Sequence, residues 1–375
     1  MCDIQMIVDS LCEKALHPAA SIFETCRETG REAIGLFPIY TPEELVYAAG
    51  FLPVGMWGGS TEIKLADRYL QGFCCSIMRT NMEYGMRGTY DRLRAVLIPT
   101  LCDTLKCICE NWKVAVPQVP LIPVVYPQNR SLACGREYLR DEFVRVRGEL
   151  ERLAGREVSD HDLENTFRIY EDYRAAMRDF CDAAASHPRT INAKIRHLII
   201  KAGCFLEKAS YTQAIRALTE TLRTMPEEPC AVRAVVTGLL AEPLGILDLL
   251  VEHDIAIVAD DLAQESRQFR VAACDQGDAL SKMVQRVADQ RGCSFLYEPE
   301  KTRGQMLIDM VKHAGAQAVI ALQMKFCDPE EFDYPIYKAE LEHAGIPLLY
   351  LEVEQQMDSF GQARTRIQSF AEMLL

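Results

Sequence analysis

The sequence predicts an α/β protein in which two parallel-sheet units are separated by a helical segment. Three observations carry this. Short apolar runs alternate with helical stretches at both ends of the chain, helix starts and stops punctuate them, and the middle of the chain loses every strand-like run.

The first unit spans residues 1–130 and includes a leading helix. Ala33–Ile39 is an apolar run fit for a buried strand. Thr41-Pro42-Glu43-Glu44 then reads as a helix start, with Thr41 as cap, Pro42 in the first turn and Glu44 closing a capping box. Gly50 stops that helix, and Leu52–Met56 is the next strand. Ala95–Ile98 is a third strand, followed by a helical stretch, and Leu121–Val125 between prolines is a fourth. Residues 131–228 form the second unit. Glu137–Leu153 and Leu163–Ala184 place apolar residues three and four apart with charges between them, so four packed helices are expected up to about Pro226. Residues 229–375 return to α/β. Ala234–Thr237, Ile255–Val258, Ala318–Leu322 and Leu348–Leu351 are its strands. Helices are expected at Leu244–His253, Asp278–Arg291, Gly304–His313 and Pro329–His343. Asp328-Pro329-Glu330-Glu331 repeats the pattern of a cap, an early proline and an N3 glutamate.

Composition narrows the function classes. Hydrophobic residues make up 49% and charged residues 25%, as in a globular protein. A formal net charge of -13 and the lack of a Lys/Arg block argue against a nucleic-acid or anionic-membrane surface. The N-terminal stretch carries Asp3, Asp9 and Glu13 where a signal peptide needs an apolar run, and no segment reaches ~18 apolar residues. A soluble, cytoplasmic protein is expected. Its 15 cysteines, an odd number, then point to metal ligation, catalysis or core filling rather than to disulfides.

Ligands of open α/β sheets collect outside the carboxyl ends of the strands. Two cysteines fall there independently: Cys102 after Ala95–Ile98, and Cys327 after Ala318–Leu322. Each precedes a helix, where thiolate is favoured. Lying in different units, they are expected on facing rims of a cleft. No C-x-x-C occurs, so zinc-ribbon and ferredoxin spacings fail, and no H-E-x-x-H pair appears among seven histidines. Phosphate loops, the G-x-G-x-x-G fingerprint and the G-x-S-x-G elbow are also missing. Three polar strings remain as candidates for ligand contact or salt bridging: Asp260–Arg270, Glu354–Gln356 and Gly361–Arg366. The arginines of the last suit either a CoA phosphate or a fixed domain orientation.

Several of these strings resemble the 2-hydroxyacyl-CoA dehydratases. The strings are Tyr40–Gly50, Val54–Gly59, Leu101-Cys102-Asp103-Thr104-Leu105, Met324–Glu331 and Gly361–Arg366, in the family's order and across nearly the whole chain. The likeness is greatest to the beta subunits of the enzymes for 2-hydroxyisocaproyl-CoA and phenyllactyl-CoA. It implies two Rossmann-like domains with an intervening helical segment, and one 4Fe-4S cluster on three cysteines. By motif these are Cys75 in Phe73-Cys74-Cys75-Ser76-Ile77, Cys102 and Cys327, with Cys74 the alternative if the register moves by one. Cys107 and Cys109 lie outside the motif, and capping is expected of Asp103 and Asp328. The implied reaction converts an (R)-2-hydroxyacyl-CoA into the (E)-2-enoyl-CoA during amino-acid fermentation under anaerobic conditions. A low-potential electron makes a ketyl radical anion of the thioester, so that hydroxide leaves and the β-proton becomes acidic. The implied partners are an alpha subunit and an ATP-dependent iron–sulfur activator protein, with this subunit's cluster relaying the electron. Two other readings stand beside it. One is a subunit of a benzoyl-CoA reductase-like or double-cubane cluster protein, and the other is a cluster-free scaffold.

Overall fold

The computed structural model describes residues 2–274 and 276–375. The first part of the chain runs α1 (Cys2–Leu16), α2 (Pro18–Thr29), β1 (Ala33–Leu36), α3 (Glu43–Ala48), β2 (Leu52–Gly55), α4 (Ser76–Met86), β3 (Ala95–Pro99), α5 (Asp103–Ala115) and β4 (Leu121–Val124). Four helices follow: α6 (Ala133–Ala154), α7 (Asp160–Ala185), α8 (Ala193–Ala202) and α9 (Lys208–Arg223). The last part runs β5 (Val232–Gly238), α10 (Leu244–Glu252), β6 (Ile255–Leu262), α11 (Ser266–Phe269), α12 (Ala279–Ala288), α13 (Arg303–His313), β7 (Ala318–Met324), α14 (Asp328–His343), β8 (Leu348–Val353) and α15 (Gly361–Leu374). Among the described residues no helix is long and apolar enough to cross a membrane.

Both sheets are wholly parallel. Their orders are β2-β1-β3-β4 and β6-β5-β7-β8, so the second repeats the first. The α/β class with two Rossmann-like sheets is therefore observed. Central strands β1 and β3 read as continuous apolar runs, and β5 and β7 are mostly apolar, because helices cover both faces. One large core joins residues under both sheets. A second core packs Ile4, Val8 and Leu11 of α1 against Tyr170, Met177, Ile199 and Leu218 of α7, α8 and α9.

Two helix starts depart from the sequence-based expectation. At α3 the cap position is Pro42 and makes no side-chain hydrogen bond, while Thr41 Oγ1 donates to the Phe37 carbonyl at 2.5 Å. Glu44 does not close a capping box. It is 1% exposed and accepts hydrogen bonds from Arg174 of α7 and Arg286 of α12. Burial would push its carboxyl up, but the two guanidiniums outweigh that and hold it at about 2. At α14 the cap is Cys327, one residue earlier than Asp328. There Glu330 is buried against arginines, and Glu331 Oε1 accepts from Phe326 N at 3.2 Å. Each buried glutamate meets cations far away in sequence, and a charge-assisted bond in a dry site outcompetes a cap.

Gly238 ends β5 with φ +145° and pairs with Leu322 of β7. A Cβ there would stand 2.3 Å from the Leu322 carbonyl oxygen. Gly238→Ala is expected to cost on the order of 3 kcal/mol, through strain and a backbone clash. A thermal midpoint equal to that of the wild type would contradict this.

Candidate functional site

In a sheet of order 2-1-3-4 the crevice opens at the carboxyl ends of the two central strands, where the crossover direction reverses. Here both sheets open into the same place. A cavity of about 370 Å³ is lined by Pro38 and Ile39 after β1, Leu101 and Cys102 after β3, Leu239 after β5, and Phe326 and Cys327 after β7. Cys75 lines it too. The three cysteines predicted from sequence thus meet around one cavity, whereas Cys74 is absent from its wall and sits 4.0 Å from Gln71 Oε1. Cys107 is exposed, and Cys109 packs with its thiol 3.8 Å from the Ile98 carbonyl.

Each of the three cysteines stands at a helix N-cap position, Cys75 before α4, Cys102 before α5 and Cys327 before α14, and of these the Cys102 side chain makes a capping bond. Three helix N-termini therefore converge on the cavity and bias it towards negative charge. The Leu105 N–H donates to Cys102 Sγ at 3.5 Å. Phe326, just before Cys327, takes the left-handed conformation at φ 61°, a strained geometry for a non-glycine residue. Burial works against ionisation. It pushes the Cys75 thiol up to about 12 and Cys102 up to about 11, with the N–H groups of the following turn pulling the other way. Burial, then Cys75, Glu330 and Cys102, raise Cys327 well above the ordinary thiol. Burial thus favours the thiol, the helix ends favour the thiolate, and a bound cation would add to the latter. Among the described residues, no group of three or more His, Cys, Asp or Glu side chains is arranged to hold a metal ion.

The two sheets are tied together beside the thiols. Ser76, the residue after Cys75, places Oγ 3.0 Å from the thioether of Met324 at the end of β7, and accepts from Gln355 N at 3.2 Å. Gln355 follows β8 and is 3% exposed. Its Nε2 donates to the Trp57 carbonyl at 2.9 Å and to Glu242 at 2.7 Å, and its Oε1 accepts from Gly59 N at 3.2 Å. Gly58 permits that approach, since a Cβ would stand 2.4 Å from Gln355 Oε1.

The other polar strings serve structure. Asp260 and Glu265 both pair with Arg196, while Asp261 pairs with Arg267, Arg270 and Arg303. Arg364 pairs with Glu252 on the surface at 2.5 Å, and neither it nor Arg366 lines the cavity. Asp103 and Asp328 occupy the first turns of α5 and α14 and line the cavity without being the caps. Trp57, Ser294, Phe295 and Lys301 also line it, and sequence reasoning left them out as site residues. Trp57 follows β2, so strand-end placement points to it. Ser294, Phe295 and Lys301 lie in loop, where no periodicity marks them.

The family model for the 2-hydroxyglutaryl-CoA dehydratase D-component matches residues 38–374. The chain belongs to that family. Among relatives, the lactoyl-CoA dehydratase beta subunit of Anaerotignum propionicum is 42% identical over 100% of both chains. The (R)-phenyllactyl-CoA dehydratase beta subunit of Clostridium sporogenes is 39% identical over 96% of each. The (R)-2-hydroxyglutaryl-CoA dehydratase beta subunit of Acidaminococcus fermentans is 36% identical, over 98% of this chain and 100% of its own.

Proposed function

We propose that this chain is the beta subunit of a heterodimeric (R)-2-hydroxyacyl-CoA dehydratase, a hydro-lyase that removes water to give the (E)-2-enoyl-CoA. We also propose that Cys75, Cys102 and Cys327 hold one 4Fe-4S cluster. The observation that carries the reading is the meeting of three cysteines at helix N-cap positions around one cavity at the switch points of both sheets. Relatives named as beta subunits of dehydratases for three different 2-hydroxyacyl-CoA thioesters support the reaction class.

The donor set fits such a group. Three thiols lining one cavity of about 370 Å³ are the donor type that iron–sulfur clusters take. When bound, the cluster supplies a one-electron carrier for the low-potential electron that the ketyl route requires. The chain's own residues do the rest. The starts of α4, α5 and α14 aim backbone N–H groups at the thiolates and stabilise their charge. Ile39, Trp57, Leu101 and Phe295 surround them with apolar surface that keeps water away. The Ser76–Met324 contact and the Gln355 bonds keep Cys75 in register with Cys327. Three protein ligands leave one position for a non-protein ligand. The alpha subunit is the proposed partner, with an ATP-dependent iron–sulfur protein as activator.

Anaerobic co-expression with an alpha subunit and activator tests this. Roughly four irons and four sulfides in this chain are expected, together with water loss from at least one thioester of a panel that includes lactoyl-, phenyllactyl- and 2-hydroxyglutaryl-CoA. An iron-free chain that still supports full activity would overturn the cluster. Iron without dehydration of any panel member would overturn the reaction.

A further inference from the structure

The first turn of α14 carries three carboxylates, Asp328, Glu330 and Glu331. Asp328 and Glu331 are exposed, so solvent screens them, whereas Glu330 is 1% exposed. One Glu330 oxygen accepts from Arg267 Nη1 at 2.9 Å and from Ser294 Oγ at 2.6 Å, and the other accepts from Arg303 Nη2 at 2.7 Å. The two arginines are themselves fixed by Asp261, through Arg267 Nε at 2.9 Å and Arg303 Nε at 2.9 Å. Asp261 also accepts from Thr237 Oγ1 at 2.8 Å, which anchors the cluster of charges to β5.

Stability alone is a poor reason for such a network, because well-packed apolar residues usually serve a core as well as buried ion pairs do. Its position suggests another use. Glu330 stands three residues after Cys327 on the same turn, and Ser294, one of its donors, lines the cavity beside the thiols. Its carboxylate is buried on the same helical turn as the Cys327 thiol, where a fixed negative charge opposes further negative charge.

Resting on the proposed cluster, we infer that Glu330 is a potential-setting residue: its buried carboxylate, held in place by Arg267 and Arg303, keeps the reduction potential of the cluster low by opposing the incoming electron. It acts through Cys327, so it is a positioning and electrostatic residue, touching neither substrate nor iron. Two acids on the same turn would do this poorly, since water screens them, and the dry site makes Glu330 effective.

The test is an EPR-monitored redox titration of the full chain, purified anaerobically with its cluster. Glu330→Gln keeps the shape and removes the charge, and its midpoint is expected to move to more positive potential with iron content unchanged. Glu330→Asp keeps the charge and is expected to stay near the wild-type midpoint. Arg303→Gln leaves Glu330 less compensated and is expected to move the midpoint to more negative potential. It reads the same electrostatics with the opposite sign, so a fold that rejects one variant leaves the other. Unchanged midpoints in the variants that fold, with iron retained, overturn this inference alone. A wild-type chain that holds no iron overturns the reading on which it rests.

Discussion

Replacing Cys327 by serine is expected to remove most of the iron and to lower dehydration by the assembled enzyme at least a hundredfold, on the order of 3 kcal/mol in the barrier. Cys327 is 4% exposed, stands at the N-cap position of α14 and faces Cys75 and Cys102 across the cavity. A serine hydroxyl there is a far weaker ligand than thiolate and, at neutral pH, stays protonated. The same loss is expected for Cys75→Ser and Cys102→Ser. Cys74→Ser, beside a residue of the site but outside its wall, is expected to keep iron and activity. Iron analysis and activity of the four variants form one experiment. If Cys74→Ser loses iron while Cys75→Ser keeps it, the register of the doublet is the reverse of the one proposed.

Asp261→Ala is expected to be the most damaging change outside the cavity. Asp261 is 0% exposed and accepts from Arg267, Arg270 and Arg303, the Arg270 bond being 2.5 Å. Removing it strands several buried guanidiniums, at a cost of about 3–5 kcal/mol. That is a large share of the roughly 5–15 kcal/mol that separates folded from unfolded protein. Asp261→Asn is expected to be nearly as harmful, because what is lost is charge and not shape. Denaturant melts of the two variants check this, and a midpoint within error of wild type would refute it. The same residue gives a pH dependence. Burial alone would raise its carboxyl, but the arginines prevail and hold it far below the ordinary value. Its stabilisation is therefore complete above the unfolded value of about 3.9 and is lost progressively as pH falls below it. Wild-type stability should decline steeply below about pH 4, and the decline should be shallower in Asp261→Asn.

Much of this arrangement was legible in the sequence where the signal is local. The apolar runs Ala95–Ile98 and Ala318–Leu322 marked β3 and β7, and the residues beyond them, Cys102 and Cys327, do reach one cavity. Strand ends are readable because a parallel strand buried on both faces must be apolar until it emerges. Cys75 was different. It follows a loop rather than a strand, so only the family motif singled it out. The misread positions have a common cause. Glu44 was read as a capping-box glutamate and Glu330 was given no role of its own, yet each pairs with arginines that no local pattern reveals: Arg174 lies 130 residues from Glu44, and Arg267 lies 63 from Glu330. Local rules rank local partners and are silent about a cation that arrives by folding. Gln355 was noticed as a strand-end polar residue, but its role as a tie depends on Gly58 and Ser76, in the loop after β2 and at the start of α4.

The placement of the three thiols also fixes a timetable. In the order of synthesis Cys75 and Cys102 emerge early, and 225 residues separate Cys102 from Cys327. At ribosomal speeds of roughly 5–20 residues per second, the first two thiols stand exposed for on the order of ten to forty-five seconds before the third exists. The switch point of the first sheet is by then complete, while its counterpart is still being made. Whatever protects those two sulfurs from oxygen or stray metal in that interval must act on the unfinished chain. The proposed cluster can be seated on all three thiols only after β7 has docked beside Ser76.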